Sequence, residues 1–140
     1  MIFSPLQLAH YFALELQLKV NSSFDRQKES TWADNLHLAT KCTRVEGKQR
    51  WMVTLTVECI ANQGANDPYA FHVSVVGAFD LFCDPSQFPE AKLEVNAKSV
   101  LFSVVREIVR DLTSRGPYGA IMLPTLSFAA STPPASEAQK

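Results

Sequence analysis

The residues best equipped for chemistry in this chain are its three cysteines, its three histidines and two closely spaced acids. Cys42, Cys59 and Cys83 are widely separated with no CxxC pair, and His10, His37 and His72 each stand alone. A metal site would require His10 and His72 to meet Cys59 or Cys83 across a sheet. Spacings this loose read more simply as isolated sheet histidines and small core thiols. Glu107 and Asp111 lie one helical turn apart, a spacing suited to acid–base work or to a metal. They alternate with Arg106, Arg110 and Arg115, so an Asp111–Arg115 pair on a solvated helix face is the expected arrangement. Glycine is scarce, and neither a Gly-rich phosphate loop nor a GxSxG elbow occurs. With no catalytic constellation in view, the expectation is a non-enzyme that needs no metal and no cofactor.

The elements that carry these residues belong to a chain of 140 residues, 46% apolar, with 13 Lys+Arg against 14 Asp+Glu. That length fits one domain with a sizeable core. A net charge of −1 supplies no electrostatic case for nucleic acid or an anionic membrane. No apolar run approaches the roughly 18–20 residues of a membrane span. Met1–Gln7 holds no basic residue and no cleavage site follows, so no signal peptide is expected. An odd cysteine count also suits a cytoplasmic protein better than a disulfide scaffold.

From Leu6 to Val20 the even positions read Leu, Leu, His, Phe, Leu, Leu, Leu, Val, the period of a strand with one buried face. At about 3.3 Å per residue such a strand is long enough that a bend or bulge is expected within it. A polar stretch containing Trp32 leads to a second strand, Leu36 to Arg44, and Glu46-Gly47-Lys48 signals a turn. Trp51, Val53, Leu55, Val57 and Cys59 share one face of a third strand. After the loop Asn62–Pro68, a fourth runs from Tyr69 to Leu81, with Gly77 suggesting a bulge or bend. Four consecutive strands with short links predict an antiparallel meander, and an α+β fold once the helix that follows is added.

Asp84-Pro85-Ser86 and Pro89 open a crossing segment. Helical periodicity then runs from Lys98 to Arg115, stopped by Gly116-Pro117. With Val100 and Phe102 included, its apolar stripe spans about 200°, against roughly 100° for an ordinary surface helix. Two coverings would satisfy it: the segments before and after the helix (Ile121–Phe128 among them), or a second subunit, which the width of the stripe favours. Residues 1–130 are expected to form one domain and 131–140 (STPPASEAQK) a disordered tail.

This order of elements, together with VLFSVVREIVRDLTSRG, the later Leu123-Pro124 and the strand YAFHVSVVGAF, resembles the SecB family of protein-export chaperones from about Gln7 to Phe128. The resemblance implies an ATP-independent holdase that keeps unfolded polypeptide clients from folding or aggregating. It implies a homotetramer, a dimer of dimers with helices sandwiched between sheets. Phe71, Val73 and Val75 on the fourth strand, and Leu101, Val105, Ile108 and Leu112 on the helix, would then lie at the oligomer interface. It also implies a client groove at Phe12, Trp32, Leu36 and Leu38, where apolar burial at about 25 cal/mol per Å² binds extended chains with little sequence preference.

At the positions that match the family's contact with the export ATPase SecA, Glu15 remains acidic while the others read Lys19, His72 and Ser74. The chain is nearly neutral where typical SecB proteins are acidic, and a polar tail stands where the family has a final helix. General export and service to a dedicated client, such as an antitoxin in a toxin–antitoxin system, both remain open. The rival readings are a non-chaperone scaffold on the same fold and a hot-dog thioesterase. In the latter the long helix precedes most strands, which counts against it here.

Overall fold

The computed structural model describes residues 1–60 and 65–128. The expected tail at 131–140 lies outside them. Four strands, β1 (Leu6–Val20), β2 (Leu36–Arg44), β3 (Arg50–Cys59) and β4 (Tyr69–Leu81), are followed by helix α1 (Glu90–Thr113). The strands form one antiparallel sheet in the order β1-β4-β3-β2. Only β2, β3 and β4 form a meander. Instead of pairing with β2 as the simple meander predicts, β1 lies against the far edge of β4. Residues 21–35 carry the chain back across the sheet end, closing in the short 3-10 turn Trp32–Asn35.

Register explains which side chains β1 can bury, because directly opposed residues share a face. Leu6 and Leu8 oppose Leu81 and Phe79, and Leu16 and Leu18 oppose Val73 and Phe71. Between them Ala9 and Leu14 are each skipped by the pairing, leaving two bulges. Each bulge reverses the phase, so Tyr11 and Ala13 join the helix side while His10 and Phe12 turn to the outer side. The expected bend is therefore present. The expected single buried face is not.

The core sits between α1 and the middle of the sheet. Val53, Leu55 and Val57 of β3 and Val73, Val75 and Phe79 of β4 are at most 1% exposed, as are Leu93, Ala97, Leu101, Val105 and Val109 of α1. The inward positions of α1 recur every fourth residue, which lays one stripe of the helix along β4, with β1 and β3 on its flanks. Gly77 is a regular strand residue rather than a bulge. A Cβ there would stand 2.8 Å from the Leu101 side chain, so its role is to let the helix come close. The helix begins eight residues before the expected Lys98. Pro89 occupies its N-cap, and its first two turns bury only Leu93 and Ala97 fully, with Val95 half-buried beside them, too sparse a pattern to announce a helix. The crossing segment is correspondingly short, a 3-10 turn at Pro85–Gln87. No helix is long and apolar enough to cross a membrane among the described residues.

Beyond α1 the chain folds back along one flank of the helix. Leu123 is fully buried, Arg106 Nε donates to its carbonyl at 3.1 Å, and Phe128 packs edge-on to Phe102. The turn is held by Tyr69, whose hydroxyl accepts from the Tyr118 backbone N–H (3.0 Å) and donates to the Gly119 carbonyl (2.9 Å). Tyr118 in turn donates its hydroxyl to the Asn21 carbonyl at 2.7 Å, so the end of β1 joins the same cluster. A Cβ on Gly116 would fall 2.5 Å from the Tyr69 ring. The ring cannot move aside without breaking these bonds. Gly116→Ala is therefore expected to cost about 1–3 kcal/mol, as overpacking does, and to lower Tm by several degrees; an unchanged Tm would contradict this account of the turn.

Across β3 and β4, Arg50 grips Asp80 through two nitrogens at 2.6 and 2.8 Å. That hydrogen bonding holds the Asp80 carboxyl below its ordinary range. A depressed folded-state pKa adds stability above the unfolded carboxylate value, about 3.9, and loses it as pH falls through the folded value. Denaturant midpoints measured from pH 7 to pH 2 should accordingly show a shallower acid limb in Asp80→Asn than in the wild type.

Candidate functional site

β2 is a sheet edge, and its alternating residues Leu36, Leu38, Thr40 and Cys42 oppose Cys59, Val57, Leu55 and Val53 of β3. Those partners belong to the core, so this row of β2 lies on the helix side. α1 sits over β4 and its flanking strands, which leaves the row at the margin of the core: Leu36, Leu38 and Cys42 pack against it yet stay half-buried. Trp32 joins them from the 3-10 turn, half-buried on the same cluster, and its carbonyl accepts from the Cys59 thiol at 3.5 Å. The turn is fixed to the loop before β4 by Asn35 Nδ2, which donates to Asp67 Oδ2 at 2.7 Å. Trp32, Leu36 and Leu38 are thus brought together as a half-covered apolar shelf.

Phe12 is not part of it within one chain. β1 and β2 are the opposite edges of the sheet, and the first bulge puts Phe12 on the outer side, opposite Val76. It is 47% exposed. The same outer side carries Glu15, whose carboxylate lies 3.2 Å from His72 Nε2, while Glu58 of β3 lies 3.0 Å from His72 Nδ1. Glu15 is thus tied into a row across three strands.

The residues expected at an oligomer interface divide in two. Phe71, Val73, Val75, Leu101 and Val105 are at most 3% exposed and pack on one another inside a single chain. Ile108 and Leu112 are half-buried, and Val100 is more open still. The larger uncovered apolar surface is on β1, where Tyr11, Leu14, Leu16 and Val20 are 46–60% exposed. Sequence reading assigned Leu14, Leu16 and Val20 to a buried face and Tyr11 to the opposite one. Their excess over what one helix can cover was the available sign.

The isolated cysteines and histidines do not converge, and no metal-holding group of three occurs among the described residues. Burial, with Glu94 and Glu90 nearby, pushes the Cys42 thiol up to about 11; burial, then Asp67, does the same to Cys59. Both are protonated thiols at neutral pH and poor nucleophiles. Arg115 reaches Asp111 at 3.4 Å as expected, whereas Arg110 binds Glu107 at 3.0 Å. A cleft of about 690 Å³ lies at the end of β1, lined by polar groups such as Lys19, Asn21, Lys28 and Asn66, and none of the shelf residues borders it.

Comparison with known proteins agrees with this architecture. The chain resembles the protein-export protein SecB from two strains of Acidithiobacillus ferrooxidans, each 35% identical over 94 residues, covering 66% of this chain and 63% of the relative. The matched segment is thus less than two thirds of those relatives' length. Among solved structures, the SecB-like chaperone of Mycobacterium tuberculosis, in complex with an antitoxin peptide, superposes with a TM-score of 0.66 at 19% identity, over 88% of this chain and 91% of that one. A protein of unknown function from Streptococcus agalactiae gives a TM-score of 0.52 at 14% identity, over 85% of this chain and 96% of that one. These two share the fold. The family model described as preprotein translocase subunit SecB matches residues 6–132, and the chain belongs to the SecB family.

Proposed function

We propose that this protein is an ATP-independent holdase that binds unfolded polypeptide segments on the shelf formed by Trp32, Leu36 and Leu38. The observation that carries the reading is that shelf: three large apolar side chains, locally well anchored, left half-covered at a sheet edge by a helix that lies over β4 with β1 and β3 on its flanks. A surface of this kind gains affinity from apolar burial alone and so accepts many sequences. Membership of the SecB family supports it, and so does the antitoxin peptide held by the M. tuberculosis relative.

The same reading includes assembly and place. Tyr11, Leu14, Leu16 and Val20 on β1, with Val100, Ile108 and Leu112 on α1, are the apolar surface a second copy would cover, as the first step toward a dimer of dimers. Phe12 of one subunit would reach a client groove only through such assembly. The protein would work in the cytoplasm with no cofactor and no catalytic step. Glu15 engaged by His72, beside Lys19 and Ser74, favours a dedicated client such as an antitoxin over handover to the export ATPase SecA.

A denatured, aggregation-prone polypeptide mixed with the protein should show suppressed light scattering at near-stoichiometric ratios without ATP, with the protein's native mass above that of a monomer. Trp32→Ala with Leu38→Ala should weaken client binding by about tenfold or more, since each buried side chain of this size contributes about 1.5–3 kcal/mol. Leu14→Glu with Leu16→Glu should lower the native mass while leaving the far-ultraviolet circular dichroism unchanged. A monomer without effect on aggregation would sink the holdase reading; a salt-sensitive complex with SecA would favour export.

A further inference from the structure

Residues 21–35 carry the chain from the end of β1 to the start of β2, at opposite edges of the sheet. No residue of this connector is fully buried, and its regular structure is the 3-10 turn Trp32–Asn35. A segment with so little packing keeps one course only where hydrogen bonds from elsewhere fix it. Those bonds come from two places. The turn after α1 holds the first part: Tyr118 donates its hydroxyl to the Asn21 carbonyl, and Arg26 Nη2 donates to the Pro117 carbonyl at 2.8 Å. The second place is the loop before β4.

Two adjacent residues of that loop reach the connector on both sides of Trp32. Asn66 Nδ2 shares its hydrogens among the carbonyls of Asp25 (2.8 Å), Lys28 (3.2 Å) and Glu29 (3.4 Å), while its Oδ1 accepts from the Asp25 N–H at 2.9 Å. Asp67 is 4% exposed. Its Oδ2 accepts from Asn35 Nδ2 and its carbonyl from Asn21 Nδ2, each at 2.7 Å. Asp67 Oδ1 is buried with no hydrogen-bond partner among the described residues, so the carboxyl's hold on the connector is through Asn35. Trp32 therefore lies between two anchored points, Glu29 and Asn35, whose anchors are neighbours in sequence. Both anchors border the polar cleft at the end of β1, which no shelf residue borders, so they stand off the client surface.

We propose that Asn66 and Asp67 are positioning residues for client binding, which hold Trp32 beside Leu36 and Leu38 before a client arrives. The proposal rests on the holdase reading and adds which residues make its shelf a preformed one. A loose connector would let Trp32 swing away from the other two side chains, and each client would have to order it again on binding. A held connector removes that loss of freedom from the binding step. Leu36, the first shelf residue of β2, follows Asn35 directly, so the bond to Asp67 also sets where the shelf begins. That bond needs one donor and one acceptor but no particular residue at either end, so exchanging the two side chains preserves it.

The test follows binding of labelled, reduced and carboxymethylated α-lactalbumin, an unfolded chain, by fluorescence anisotropy with the full chain. Acrylamide quenching reports the pose of Trp32, because Trp51, the other tryptophan, is buried. Asn35→Asp sets two acceptors face to face and should weaken client binding by about five- to tenfold, with Trp32 quenched more readily and circular dichroism and native mass unchanged. Adding Asp67→Asn restores the bond with its direction reversed and should return both readouts to within about twofold of the wild type. Asp67→Asn alone should behave as the wild type, since its amide oxygen still accepts from Asn35. Asn66→Ala should act as Asn35→Asp does, and carries the test if Asn35→Asp loses its circular dichroism. Normal client affinity in the single variants would overturn the positioning role and leave the holdase reading intact. So would a double variant as weak as Asn35→Asp, or weakened binding with unchanged quenching. A wild type that binds no unfolded chain would overturn the holdase reading and the positioning role with it.

Discussion

One helix cannot cover four strands, and the rest of this structure follows from where that single cover is placed. α1 runs along β4 with Leu101 set against Gly77, and the rows of β3 and β4 beneath it are dry. The price is exposure at both margins: β1 on one side and β2 on the other keep large apolar side chains in partial contact with water. An ordinary monomer would have trimmed those residues to polar ones. Here the margins remain apolar, and the two margins differ. The β1 side is bulged, and the β2 side is straight.

That contrast suits a division of labour between assembly and capture. A bulged strand presents side chains in alternating directions and is ill-suited to taking up arbitrary extended segments. A straight strand that keeps Leu36, Leu38 and Cys42 in one row can hold such a segment without reading its sequence. Neither role needs a reactive side chain. The thiols of Cys42 and Cys59 stay protonated, and some of the ionic groups are engaged with one another, as Arg50 is with Asp80 and Arg110 with Glu107.

Strand limits were legible because alternation of apolar and polar residues is a strong local signal: Leu6–Val20, Leu36–Arg44 and Tyr69–Leu81 stand where the period places them. Strand order was not legible, since alternation says which face is buried but not which neighbour supplies the ladder. The first two turns of α1 were hidden because only Leu93 and Ala97 are fully buried there, with Val95 half-covered, among residues that read as a polar link. At the site, Trp32, Leu36 and Leu38 could be named from a family resemblance, and they do meet. The separation of Phe12 from them could not be foreseen, because it depends on a strand order that puts β1 and β2 at opposite edges and on a skipped pairing at Ala9 that leaves no compositional trace.

The position of β1 has a consequence for how the chain is completed. β2, β3 and β4 are hairpin neighbours and pair locally, whereas Leu6 must find Leu81 across most of the sheet's sequence. Pairing of this range costs more loop-closure entropy than a hairpin does, which makes β1 the strand expected to join last. Until then β4 presents an open edge beside a partly assembled core. The protein finishes its own fold by taking up an extended segment, and tethering gives β1 the advantage of high local concentration over any stranger.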